Sequence, residues 1–152
     1  MKSPTIGSTK SDEIMARDLY HQDVKDALVK DGWAVTADPL TYKVGTLQIQ
    51  IDLGAERLIA AERDDTKIAI EIKTFIGASF NTALYEAIGK YIVYRNVIAL
   101  QEEERVLYLA VPELTYQRFL VETTIIRMLK IECINLVIYN PSTQLISTWV
   151  KN

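Results

Sequence analysis

Asp52, Glu71 and Lys73 are residues of the right types, at the right spacing, to do chemistry together. Residues 68–75 read IAIEIKTF, in which Ile68, Ile70 and Ile72 alternate with Ala69, Glu71 and Lys73. Residues two apart in a strand share a face, so Glu71 and Lys73 project together and the isoleucines cover the opposite side. Asp52 lies on the polar side of an earlier alternating stretch, residues 47–53, just before Gly54. If the two strands are sheet neighbours, Asp52 approaches Glu71 and Lys73. Such a triplet suits metal-assisted phosphodiester cleavage. Two carboxylates hold Mg²⁺ or Mn²⁺, which polarises the phosphate and acidifies a bound water. The lysine ammonium positions that water or stabilises developing charge. The main-chain carbonyl of Ile72 is a candidate third ligand, since hard cations accept backbone oxygens. The plainer alternative is a same-face surface ion pair worth ~0–1 kcal/mol. The apolar run around Glu71 and Lys73 argues against it, because unpaired charge close to buried territory is costly.

The elements that must position these residues follow from periodicity. Residues 13–30 read as a helix, with Tyr20, Val24, Ala27 and Leu28 on one face and Gly32 as its stop. Residues 33–37 read as a strand ended by Asp38-Pro39. In 47–53, Leu47, Ile49, Ile51 and Leu53 point one way, and Gly54 allows a bend or bulge. Residues 57–62 form a further short strand, 63–66 a turn, and 67–75 the strand that carries Glu71, which together suggest an antiparallel meander of three or more strands. A long helix is expected over about 80–100, with Leu84, Ala87, Ile88, Tyr91 and Ile92 as its stripe. Residues 105–111 (RVLYLAV) form a continuous apolar strand suited to the middle of a sheet. Pro112 opens a third helix, and 134–139 and 145–150 are strands around the Asn140-Pro141-Ser142 turn. The order predicts an α/β fold with a central mixed sheet flanked by helices and a C-terminal helix and hairpin.

The 152 residues are enough for one domain, expected over 13–152 after a mobile N-terminal tail, residues 1–12. One cysteine, Cys133, excludes an internal disulfide and fits a reducing cytoplasm. With a single histidine beside it, the usual zinc ligands are lacking, so any metal is held by carboxylates. The start of the chain lacks a secretory pattern, and no apolar run approaches the ~20 residues that span a bilayer. The net charge of −3 does not suggest a strong non-specific nucleic-acid binder.

An Asp on one strand followed by Glu-x-Lys on the next, after an N-terminal helix, resembles the PD-(D/E)xK, or restriction-endonuclease-like, superfamily, although Ile51 stands where that pattern usually has Pro. The longer segments DLYHQDVKDALVKDGW (18–33), DPL (38–40), IDLGAERLIAAE (51–62), IAIEIKTFIGAS (68–79), AIGKYIVYRNVI (87–98) and LYLAVP (107–112) closely resemble the XisH family of fdxN element excision controlling factors. The resemblance implies a nuclease-like αβββαβ core with Asp52 and Glu71 as metal ligands and Lys73 as catalytic lysine. It also implies a part in a DNA rearrangement, DNA and a small XisI-type protein as partners, and, from the habit of double-strand nucleases, a homodimer. The alternative is a non-catalytic module that keeps the fold to bind such a partner or DNA. Family members commonly have Gly-Gln-Tyr where this chain has Gly89-Lys90-Tyr91. With Tyr94, the family's Gln-x-x-x-Tyr becomes Lys90-x-x-x-Tyr94 here, and a lysine there could contact a phosphate or weaken the site by bringing a second cation near the metal. A solvated Lys90 paired with Glu86 one turn earlier is the simpler reading of that residue.

Further candidates are His21, on the edge of the first helix's apolar face, as a phosphate or water contact, and Glu62 as a substitute or supplement for Asp52. Asp18 or Asp23 could add a carboxylate from the first helix, Glu56 is a further acid close to Asp52, and Arg118, Arg127 and Lys130 could form a small basic patch on the third helix.

Overall fold

The computed structural model describes residues 10–59, 64–77, 79–102 and 104–152. The first helix, α1 (Lys10–Lys30), buries Val24, Ala27 and Leu28, the stripe expected from its spacing. It begins three residues before position 13, and residues 1–9 of the expected tail lie outside the described residues. It ends where Gly32 takes a left-handed φ of 92° and the Trp33 amide donates back to the Leu28 carbonyl at 3.0 Å, a turn that glycine adopts without a Cβ clash.

Strands β1 (Ala34–Ala37), β2 (Leu40–Val44), β3 (Leu47–Ile51), β4 (Leu53–Ile59) and β5 (Asp64–Ile72) follow. β2 was not foreseen: Leu40 and Tyr42 are buried while Thr41 and Lys43 face solvent, an alternation confined to five residues behind Pro39. Residues 47–53 do not form one strand. The chain bends at Asp52, so that β3 pairs with β2 in a separate two-stranded ribbon while β4 enters the main sheet. The expected antiparallel meander is therefore interrupted: β4 lies between β1 and β5, antiparallel to both, with the β2–β3 ribbon inserted ahead of it. The anticipated irregularity at Gly54 falls on its partner, where β1 slips register between Val35 and Ala37 opposite Ala55 and Gly54.

Helix α2 (Phe80–Gln101) is capped by Ser79, whose hydroxyl accepts from the Thr82 amide at 3.2 Å. It buries Leu84, Ala87 and Tyr91, with Val97 and Ile98 extending the stripe; Ile88 and Ile92 are half-buried. β6 (Val106–Pro112) runs parallel to β5 on one side and to β7 (Leu136–Asn140) on the other, the buried central position expected of its apolar run. The single helix expected after Pro112 is divided. A short helix, α3 (Glu113–Thr115), passes into a π-type turn (Tyr116–Leu120), and α4 (Thr123–Ile131) restarts where the Glu122 carboxylate caps the Ile125 amide. β8 (Leu145–Val150) closes the sheet, whose order is β1-β4-β5-β6-β7-β8.

Two apolar clusters cover the two faces. Val24, Leu28 and Trp33 from the α1 side meet Leu53, Ala55, Ile68, Ile70 and Val137. On the other face Leu84, Ala87 and Tyr91 of α2 meet Ala69, Leu107, Leu109 and Ile138, together with Tyr42 and Ile49 of the ribbon. β5 is thus split by its period of two, with isoleucines toward α1 and the Ala69–Glu71 side toward α2. Among the described residues no helix is long and apolar enough to cross a membrane.

Candidate metal centre

The bend at Asp52 creates the site. β4 pairs with β5 up to Leu53 opposite Ile70, so Asp52 stands across from Glu71 just where β3 turns away. The ladder ends there and the amide of Ile72 loses its strand partner. Asp52 replaces it: its Oδ2 accepts from the Ile72 amide at 2.8 Å. In return Glu71 Oε1 accepts from the Asp52 amide at 3.3 Å. Each acid thus anchors the backbone around the other, and both carboxylates are held at one place. The amide and carbonyl of a strand residue point to the same side, so the Ile72 carbonyl is turned toward Asp52. The next amide, that of Lys73, points the other way and donates to the Ala110 carbonyl of β6 at 2.9 Å.

Burial pushes the Glu71 carboxyl up to about 8, and the neighbouring Asp52 charge adds to the rise. Two acids fixed side by side and partly desolvated repel each other, and a cation between them relieves that repulsion. The donor set fits a hard divalent ion: Asp52, Glu71 and the Ile72 carbonyl are all oxygen donors. Among the described residues no three or more His, Cys, Asp or Glu side chains gather as a metal cluster. An ion held here would therefore keep several waters, as Mg²⁺ commonly does.

Lys73 is not free-standing. Its ammonium lies 3.4 Å from Glu86 Oε2 of α2, and Lys90 lies 3.2 Å from the other oxygen of the same carboxylate. The two lysines hold the Glu86 carboxyl below its usual range, the Lys90 hydrogen bond contributing most. Lys90 therefore makes the expected contact with Glu86, and its charge also acts on Glu71. The Tyr94 hydroxyl is pushed up to about 12, first by burial and then by the charges of Glu71, Asp52 and Glu86. The structure thus brings Asp52, Glu71, Lys73, Lys90 and Tyr94 into one neighbourhood. The residue that sequence reasoning undervalued is Glu86, noted only as a helical partner for Lys90. Its contact with Lys73 depends on how α2 lies over β5, which spacing does not reveal.

His21 Nε2 is 2.7 Å from Asp38 Oδ1, and Lys25 holds the other oxygen at 2.9 Å. Glu56 faces Arg105 at 3.6 Å, Asp23 accepts from Gln144, and Glu62 lies outside the described residues.

The fold and site define an α/β protein with paired carboxylates at a bend beside a parallel strand end. The family model for XisH protein matches residues 14–147, and the chain belongs to the XisH family. It is similar to the crystal structure of an XisH family protein from Nostoc punctiforme PCC 73102, with 38% identity and a TM-score of 0.80 over 88% of this chain and 100% of that one. It is also similar to the crystal structure of an fdxN element excision controlling factor protein from Anabaena variabilis, with 35% identity and a TM-score of 0.81 over 89% of this chain and 100% of that one. No curated protein matches it.

Proposed function

We propose that this chain is a restriction-endonuclease-like protein of the PD-(D/E)xK type that acts on DNA in the excision of a DNA element. The observation that carries the reading is the reciprocal clamp of Asp52 and Glu71 on each other's backbone, with Glu71 held up to about 8 beside Asp52. Asp52, Glu71 and the Ile72 carbonyl would hold Mg²⁺ or Mn²⁺, which supplies a Lewis acid and an acidified water. Lys73, the first residue beyond β5, stabilises charge on the phosphate or orients the attacking water. Glu86 sets the position of that ammonium and Lys90 adds a second cation at the rim. The excision role rests on the relative named as an fdxN element excision controlling factor. A XisI-type protein and a second copy of the chain are the partners this reading adds.

A second reading is supported by the Lys73–Glu86 pair and by the net charge of −3. In it the chain is a non-catalytic module, and its charged cluster binds a XisI-type partner or DNA. Incubating supercoiled and branched DNA with Mg²⁺ or Mn²⁺, with and without the partner, separates the two. Metal-dependent cleavage that falls at least ~100-fold in Lys73→Ala is expected. Absence of cleavage under every condition, or equal cleavage by both proteins, supports the module instead.

A further inference from the structure

Immediately beyond Lys73 the chain borders a cavity of about 350 Å³, lined by residues 74–77 on one side and by Leu114, Thr115, Arg118 and Phe119 on the other. It lies beyond the carboxyl ends of the parallel strands β5 and β6, the place where open α/β sheets take ligands. Its volume is at the lower end of the ≈300–1,000 Å³ of small-ligand pockets. Nothing in the acid site uses it.

The lining has two kinds of surface. Phe119 stacks on Phe80 at 4.5 Å between ring centroids, Phe80 meets Phe75 at 5.4 Å, and the Arg118 guanidinium lies over the Phe119 ring at 5.2 Å. This is a rigid aromatic base bearing an exposed planar cation. Beside it, the Thr115 hydroxyl donates to the Thr74 carbonyl at 2.9 Å and ties the strand end to α3. Phe75 is buried at a left-handed φ of 57°, a backbone state that bulky residues avoid. Strain of this kind persists where the surroundings impose it, and it gathers at ligand sites. The strained turn follows directly on Lys73 and carries the chain along the cavity, whose first lining residue is Thr74.

We infer that the cavity receives an unstacked nucleobase of a DNA strand whose phosphate lies at Lys73, with the base against the Arg118 plane. Guanidinium planes and aromatic rings accept any base by stacking, while the hydroxyls and the arginine charge suit the sugar–phosphate that follows. The inference rests on the DNA-acting reading and specifies its substrate as a strand with a splayed or unpaired base.

The test is binding of single-stranded (dT)₁₂ and of a base-free deoxyribose-phosphate 12-mer to the full chain, followed by fluorescence anisotropy without metal, so that cleavage plays no part. (dT)₁₂ should bind about tenfold tighter than the base-free strand. Arg118→Ala should remove that preference, and Phe119→Leu should reduce it while thermal unfolding shows both variants folded. Lys43→Ala, which removes an equal charge from an exposed position of β2, should leave the preference intact. Equal affinity for the two strands, or a preference unchanged in Arg118→Ala, overturns the inference. Base-dependent binding by a protein that never cleaves DNA leaves the cavity assigned and removes only the nuclease reading. Cleavage without base-dependent binding does the reverse.

Discussion

Glu71 is the residue whose chemistry most constrains the molecule. Its carboxyl is held at about 8 in the fold against 4.5 for an ordinary glutamate, chiefly because it is desolvated and next because Asp52 is beside it. The folded protein therefore binds this proton more tightly than the unfolded chain does. The stability it contributes is fully present below about 4.5 and is lost as pH rises through about 8. At about 1.4 kcal/mol for each tenfold change in proton affinity, metal-free protein should lose on the order of a few kcal/mol across that window relative to Glu71→Gln. Urea unfolding in EDTA at a series of pH values measures this difference. Wild type gaining on the glutamine variant as pH rises would be inconsistent with the assignment. The triplet itself was legible because period two forces Glu71 and Lys73 to one face and Asp52 precedes a flexible glycine. Glu86 was not, because its contact with Lys73 joins a helix and a strand that spacing does not relate.

Among the elements, α2 does more than cover the sheet. Tyr91, fully buried, donates its hydroxyl to the Leu107 carbonyl of β6 at 2.8 Å and accepts from the Asn135 amide, just ahead of β7, at 3.0 Å. One oxygen thus joins the helix to the two parallel strands behind the site. Tyr91→Phe keeps the ring and removes the hydroxyl. Leu107 retains the Asn135 side-chain amide at 3.1 Å, while the Asn135 main-chain amide is left without this acceptor. The expected cost is about 1–3 kcal/mol, read as a lowered urea midpoint with an unchanged slope; an unaltered midpoint would show that the hydroxyl does not link these elements. The helices α1 and α2 and the central strand β6 were readable from long periodic or continuous apolar stretches. β2 was missed because five alternating residues behind a proline give little signal. The break between β3 and β4, expected at residues 54–56, falls instead at Asp52, because alternation runs unbroken through Asp52 while the chain changes sheets there.

The molecule as a whole places its acids, its lysines and its aromatic cavity along one chain path: the bend at Asp52, the end of β5, and the turn under α3. Sheet order explains why. β5 is paired on one side by antiparallel β4, which ends its ladder at Leu53 opposite Ile70, and on the other by parallel β6, so its last residues emerge beside a gap in the ladder that Asp52 bridges. Composition could exclude a disulfide framework and the usual zinc ligands, but the meeting of α2 with the end of β5 belongs to tertiary packing. The proposed function makes a divalent ion the occupant of this gap, and titration calorimetry with Mn²⁺ at pH 7 is its test. With Glu71 held at about 8, the ion must displace its proton. Binding of one ion with release of close to one proton, read from the dependence of the heat on buffer ionisation and abolished in Asp52→Asn, is the predicted result. No binding, or binding that releases no proton and survives Asp52→Asn, would contradict it.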